Sequence, residues 1–300
     1  MHKVVIITGF TGSGKSGLAI DIAKKYNGEI ISCDSVQIYK GLDIGSAKVT
    51  AEETQGIKHH LIDILEPHEE YSVGQFVTDC DKAIKDIVSR GKTPILVGGT
   101  GLYIKALLKG YNFSNTDKNE EFRQQYFNLA SQYGNNYVWE ELNKIAPDKA
   151  KLVHPNNVKR VIRYLEIVTF SEEVVPTYSV LSAYRTLSIG IVADRKLIYD
   201  KINQRVDIML EDGLQQEVQG LLNHGLTLKD NCMNTIGYRE MAQYLLGEIS
   251  YDKCVELIKQ HTRNYCKRQL TFMKTIPELI LLEKHQAREK IEEFLNDNTK

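Results

Sequence analysis

An eight-residue run near the start of the chain, Gly9-Phe10-Thr11-Gly12-Ser13-Gly14-Lys15-Ser16, constrains the fold more than any other feature. It fits the pattern G-x-x-x-x-G-K-[ST], and its surroundings fit as well. Val4-Val5-Ile6-Ile7 reads as a buried strand, and Gly17 to Tyr26 reads as a helix. A strand that turns through glycines into a helix aims backbone N–H groups at an anion. The helix N-terminus adds partial positive charge, and Lys15 adds a full one. Gly12 and Gly14 permit backbone shapes and close approaches that a side chain would block. The pattern predicts a diphosphate or triphosphate site built from Gly9, Thr11, Gly12, Ser13, Gly14, Lys15 and Ser16, with the Ser16 hydroxyl offered to a Mg2+ ion on the phosphates.

A chain of 300 residues has room for one large α/β domain, or for one domain with a sizeable insertion. With 42% hydrophobic and 26% charged residues, it has the make-up of a soluble globular protein. The formal net charge of −1 excludes a general polycation, so a nucleic-acid partner would need a local basic surface. No apolar stretch is long enough to span a bilayer. The first residues lead straight into a core strand, which argues against a targeting peptide. Five cysteines (Cys33, Cys80, Cys232, Cys254 and Cys266) form no C-x-x-C pair, so reduced thiols in a cytoplasmic protein are expected rather than a zinc site.

Residues 1–111 alternate strand and helix. Glu29 to Cys33 is a short strand that runs into Asp34-Ser35-Val36-Gln37, and His59 to Ile64 is a further expected strand. Ser72 to Arg90 has helical spacing, with Phe76, Cys80, Ala83, Ile84 and Ile87 on one face, Ser72 as N-cap and Gly91 as the stop. Thr93 to Val97 is a buried strand entering Gly98-Gly99-Thr100-Gly101, with a helix after it. The alternation predicts a phosphate-loop type of α/β fold, a parallel sheet flanked by helices. Residues 112–185 lack buried-strand runs and carry helical patches, so they read as a helical insertion. A return strand at Leu187–Ala193 leads into a mostly helical remainder, and the core is expected to comprise residues 1–111 and 186–300. Ile276 to Leu282 is a candidate last strand despite Pro277. His59 and His60, adjacent on a strand, point to opposite faces and do not suit one shared ion.

Small phosphate-loop kinases share this opening, but their second buried strand usually ends in an aspartate that helps hold Mg2+. Here the strand through Val97 ends in glycines and Thr100, and the first acidic strand end is Asp34. The loop therefore suits the diphosphate of something other than a nucleotide. At this point several segments together resemble the bacterial tRNA dimethylallyltransferase (tRNA isopentenyltransferase) family. They are Gly9–Ser16, Asp34–Tyr39, Asp43–Lys48, His59–Asp63, Gly98–Tyr103, His154–Asn157 and Ile236–Glu240. The resemblance runs over nearly the whole chain in the family's order. Phe10 and Val49 stand where the family usually has proline, and the zinc finger of eukaryotic relatives is absent.

The resemblance implies transfer of a dimethylallyl group from its diphosphate to N6 of the adenosine 3′ of a tRNA anticodon, with Mg2+. It implies Asp34 as the base that takes the N6 proton, and Thr100, Lys15 and Arg195 as catalytic groups on the diphosphate side. Arg205, four residues beyond Lys201 on a helix, is the alternative arginine. By the same resemblance Asp34, Ser35, Val36, Gln37 and Thr100 face the flipped adenosine, and Arg123, Lys159, Arg160 and Arg163 grip the anticodon stem-loop. Lys259, Arg263, Lys267 and Lys274, with Tyr265 and Arg268 nearby, form either a phosphate-contacting stripe or a plain charged helix face. A monomer is expected. The competing readings are an isopentenyltransferase acting on free adenine nucleotides, a phosphate-loop small-molecule kinase, and a non-catalytic RNA-binding switch.

Overall fold

The computed structural model describes residues 1–110, 119–170, 179–276 and 278–297, apart from the side chains of residues 195–197. It divides into two compact units, Met1–Gly110 with Ser179–Lys300, and Tyr111–Tyr178. The first unit begins β1 (Lys3–Gly9), α1 (Lys15–Lys25), β2 (Gly28–Ser32), β3 (His59–His60), α2 (Val73–Ser89), β4 (Thr93–Gly98) and α3 (Gly101–Lys109). The second holds α4 (Glu120–Tyr133), α5 (Asn135–Ile145), α6 (Pro147–Ala150) and α7 (Val158–Phe170). The first unit resumes with β5 (Arg185–Ile191), α8 (Arg195–Glu211), α9 (Leu214–Asn223), α10 (Tyr238–Leu245), α11 (Tyr251–Met273), β6 (Ile280–Leu282) and α12 (Lys284–Asn296).

The six strands form one sheet in the order β3-β2-β4-β1-β5-β6, and every pairing is parallel. Strand β1 sits centrally, with Ile7 opposite Val97 of β4 and Ile189 of β5. Its residues alternate between two cores, as a strand buried on both faces must. Val4 and Ile6 join Phe76, Ile84, Tyr103 and Leu107 on the α2–α3 side. Val5 and Ile7 join Leu18, Ile22, Ala287 and Ile291 on the α1–α12 side. The α2 helix follows its sequence closely. Ser72 and Gln75 form a reciprocal capping box, and the buried face is Phe76, Cys80, Ala83, Ile84 and Ile87. A third cluster packs α8–α11 against the chain after β2, through Ile38, Leu42, Val206, Val218, Tyr238, Met241 and Ile258.

Several boundaries differ from those read in the sequence. The expected strand at His59–Ile64 stops at His60, because Leu61 and Asp63 take positive φ (59° and 54°) and turn the chain away. The last strand is only Ile280–Leu282, and Pro277 lies outside the described residues. Residues 179–185, placed in the insertion by sequence, go with the first unit. Leu181 packs in the α2–α3 core, and the Ser179 hydroxyl donates to the Leu107 carbonyl at 2.5 Å. The two histidines do separate work: His60 Nε2 meets Glu29 at 2.7 Å, while His59 Nδ1 meets the Ile57 carbonyl at 2.9 Å. All five cysteines are free and buried. No helix among the described residues is long and apolar enough to cross a membrane.

Candidate active site

In a parallel sheet the carboxyl ends of the strands bound the ligand crevice. Here β1 delivers the phosphate loop to that edge, β2 delivers Asp34, and β4 delivers Thr100. The loop has the shape its glycines allow, with Gly12 and Gly14 at φ of 84° and 78°. Phe10, where the family pattern has proline, is buried against Ile198, Ile202 and Cys266 and anchors the loop to α8 and α11. The Ser13 hydroxyl is buried with no partner among the described residues, an orphan donor inside the cradle. Burial pulls the half-buried Lys15 ammonium from 10.5 down to about 8, with Asp34 opposing the shift and Arg205 adding to it. Ser16 is exposed in the first turn of α1. A second ammonium stands beside the loop: Lys284 Nζ of α12 is 3.3 Å from where a Cβ on Gly14 would project.

Asp34 sits half-buried just past β2, its Oδ1 accepting from the Val36 and Gln37 N–H groups at 2.9 and 3.4 Å. This local turn is what a short carboxylate after a strand does well. Thr100 joins the two strand ends: its hydroxyl accepts from the Ser35 N–H at 3.1 Å, and its own N–H donates to the Cys33 carbonyl at 3.2 Å. The glycines of the Gly98–Gly101 run have a packing reason. A Cβ on Gly98 would strike the Cys33 backbone, one on Gly99 the Gln269 amide, and one on Gly101 the Phe272 ring. Gln269 of α11 is then bound on both sides, its Nε2 donating to the Gly99 carbonyl at 3.0 Å and its Oε1 accepting from the Thr11 N–H at 3.2 Å. One buried amide thus locks the phosphate loop to the β4 turn. Sequence reasoning missed it, because a glutamine within a charged helix carries no local signal.

A cavity of about 490 Å³ opens at this edge. Its walls bring together Thr11, Asp34, Ser35, Val36, Arg205 and Arg268, with Tyr265 beside them. Arg205 is the finding here. Its Nε is buried without a partner among the described residues, and burial lowers it below 12.5 although Asp34 opposes. A guanidinium whose buried Nε lacks a partner, lining the same cavity as Thr11 of the phosphate loop, is suited to an anion. Arg195 opens α8, but its side chain lies outside the described residues, so the alternative arginine of the sequence reading is the one seen at the cavity. Tyr265 is pushed up to about 12, by burial first and then by the Asp34 charge, and Arg268 lies over its ring at 5.6 Å. At the far end Arg239 and His261 line the cavity, and both hold the buried Glu240 (2.5 and 2.8 Å).

Other expected binding residues have varied surroundings. The Gln37 amide is spent inside the protein: its Nε2 donates to the Ser46 and Ala47 carbonyls, and its Oε1 accepts from the Ser32 hydroxyl. In the helical unit Arg123 and Arg163 both pair with Glu166, which is fully buried. Lys159 and Arg160 are exposed, with Arg160 lying over the Tyr164 ring at 5.5 Å. On α11 Lys259 pairs with Asp207 and Arg263 donates to Asn203, so these two fasten α11 to α8. The one grouping of three metal-type side chains among the described residues, Glu29, His60 and Asp86, is occupied by Arg90 and Lys92.

A tRNA dimethylallyltransferase of Thermoanaerobacter sp. (strain X514) is 46% identical over 91% of this chain and 89% of its own. The crystal structure of the tRNA delta(2)-isopentenylpyrophosphate transferase of Staphylococcus epidermidis matches all of both chains, at 40% identity and a TM-score of 0.72. A eukaryotic dimethylallyltransferase solved acting on tRNA matches 98% of this chain and 80% of its own, at 31% identity and a TM-score of 0.82. The IPP transferase family model matches residues 37–276, and with relatives this similar over most of its length the chain belongs to the IPP transferase family.

Proposed function

We infer that this protein transfers a dimethylallyl group from dimethylallyl diphosphate to N6 of the adenosine 3′ of the tRNA anticodon, releasing diphosphate. The observation that carries this reading is one cavity lined by Asp34, by Arg205 with its unpartnered Nε, and by Thr11 of the phosphate loop. The reaction needs a base on one side of a breaking allylic C–O bond and a cradle for charge on the other. Adenine N6 is a weak nucleophile because its lone pair is delocalised into the ring. Asp34 accepts the N6 proton as the N–C bond forms. Lys15, Arg205, the Ser13 hydroxyl and the loop N–H groups receive the charge that builds on the leaving oxygens. Thr100, held against Ser35 beside the cavity wall, braces the Asp34 turn.

The residues suit Mg2+, which keeps several waters and takes one or two protein oxygens beside substrate phosphates. Ser16 would supply the protein oxygen, and the ion would neutralise charge on the diphosphate. In the helical unit Lys159 and Arg160 supply exposed cations for the anticodon stem-loop, while Arg123 and Arg163 stabilise the unit through Glu166. The reading places the enzyme in the cytoplasm as a monomer.

The test incubates protein, dimethylallyl diphosphate and Mg2+ with unmodified tRNA or, separately, with AMP. Mass spectrometry of digested nucleosides reads the added prenyl mass, with Asp34→Ala in parallel. Prenylated adenosine in tRNA, lost in the variant, supports the reading. Product on AMP alone moves the acceptor to a free nucleotide, and no product with ATP turnover returns the chain to the kinases.

A further inference from the structure

The segment between β2 and β3 contains a short irregular loop, Leu42–Lys48, two of whose residues, Gly45 and Ser46, line the cavity. Such a loop needs partners for its backbone N–H groups. Three consecutive ones converge on a single carboxylate. Asp43 and Ile44 donate to Glu217 Oε2 at 3.0 and 2.7 Å, and Gly45 donates to Oε1 at 3.1 Å. The Tyr238 hydroxyl adds a fourth bond to Oε1 at 2.6 Å. Glu217 comes from α9, far along the chain, and does not itself line the cavity. Burial, and then the Glu217 charge, pushes the phenol of the fully buried Tyr238 far up, so it stays a donor. The contact fixes Gly45 as glycine: a Cβ there would come within 2.5 Å of the Tyr238 ring.

From this clamp a chain of bonds runs to Asp34. Ala47, a non-glycine residue at φ 46°, is held in the left-handed region. Lys48 closes the loop's far end on Asp43, Asp63 and the Tyr39 carbonyl. The Ser46 and Ala47 carbonyls that result accept from Gln37 Nε2 at 3.4 and 3.1 Å. The Gln37 N–H in turn donates to Asp34 Oδ1.

We propose that Glu217 is a positioning residue for prenyl transfer: it clamps the 43–47 loop, which through Gln37 orients the Asp34 carboxylate. The proposal rests on the reading of Asp34 as the base. A carboxylate is required because four donors need two acceptor oxygens. The isosteric amide offers one, and turns its NH2 toward N–H groups.

The test compares wild type with Glu217→Gln, using dimethylallyl diphosphate, Mg2+ and unmodified tRNA. Expected are a kcat loss on the order of ten- to a hundred-fold, calorimetric donor affinity within about two-fold, and faster amide exchange in a peptide covering Asp43–Lys48. Glu217→Asp, which keeps both oxygens, should recover part of kcat. If Glu217→Gln does not fold, Tyr238→Phe removes one of the four bonds and should lower kcat by about three-fold, with donor affinity unchanged. Unchanged kcat with a loosened loop, donor affinity falling in parallel with kcat, or lost kcat with unchanged exchange would each overturn the proposal. Wild type that modifies no tRNA removes the functional reading and this proposal with it. Active wild type beside an unaffected Glu217→Gln removes this proposal alone.

Discussion

Lys15 offers the sharpest test of the site's electrostatics. Burial holds its ammonium at about 8 instead of 10.5. Its charge is what attracts the diphosphate, so raising the pH through that value should weaken donor capture. With a midpoint near 8, about nine-tenths of Lys15 is charged at pH 7 and about one-tenth at pH 9, so kcat/KM for the donor should fall about ten-fold between them. A lysine at 10.5 would lose only a few per cent of its charge over the same span. Bound diphosphate raises the lysine again, so kcat at saturating donor should stay flatter than kcat/KM. Donor binding at pH 8 should take up about half a proton. The assay measures kcat/KM for dimethylallyl diphosphate from about pH 6.5 to 9.5 at saturating tRNA. Calorimetry in buffers of different ionisation enthalpy counts the proton. Lys15→Arg, whose charge does not titrate here, reports the substrate's own ionisation. A wild-type profile as flat as that of Lys15→Arg, or no proton uptake, would refute the reasoning.

One further outcome concerns the site and another the fold. Arg205→Ala should lower kcat on the order of a hundred- to a thousand-fold, because it removes a preorganised donor to the leaving diphosphate. Gel-shift affinity for tRNA should change by no more than about two-fold. Away from the site, Glu29 is buried beside Arg90, Lys92 and His60, and the Arg90 guanidinium first among them holds its carboxyl far below the ordinary 4.5. A depressed carboxyl contributes stability that is complete above 4.5 and is lost as pH falls below it. Arg90 keeps Asp86 and both cations are partly solvated, so Glu29→Gln should cost about 1–3 kcal/mol in denaturant unfolding at pH 7, and the gap to wild type should shrink in acid.

The sequence by itself determined the central part of this protein. The phosphate loop is legible because its chemistry is local: two glycines, a lysine and a serine, between one strand and one helix, need only their neighbours to take shape. The inner strands and the α2 face are legible for a related reason, since side-chain periodicity follows from backbone geometry alone. Asp34 was readable as a strand-end carboxylate. What only the tertiary structure decided are the partners. Arg205 faces the cavity because α8 packs Val206 into the third core, and nothing local separates Arg205 from other arginines. Arg123 and Arg163 share their charge with a buried Glu166, which looks in sequence like any helical glutamate. The Gly98–Gly101 run suggested an absent carboxylate, and its glycines prove to make room for Cys33, Gln269 and Phe272. Gln269 and Glu217 bind backbone groups about 170 residues or more away. A hydrogen bond to a distant backbone N–H or C=O depends on where the chain passes, and any residue supplies that partner, so no pattern in the sequence records it.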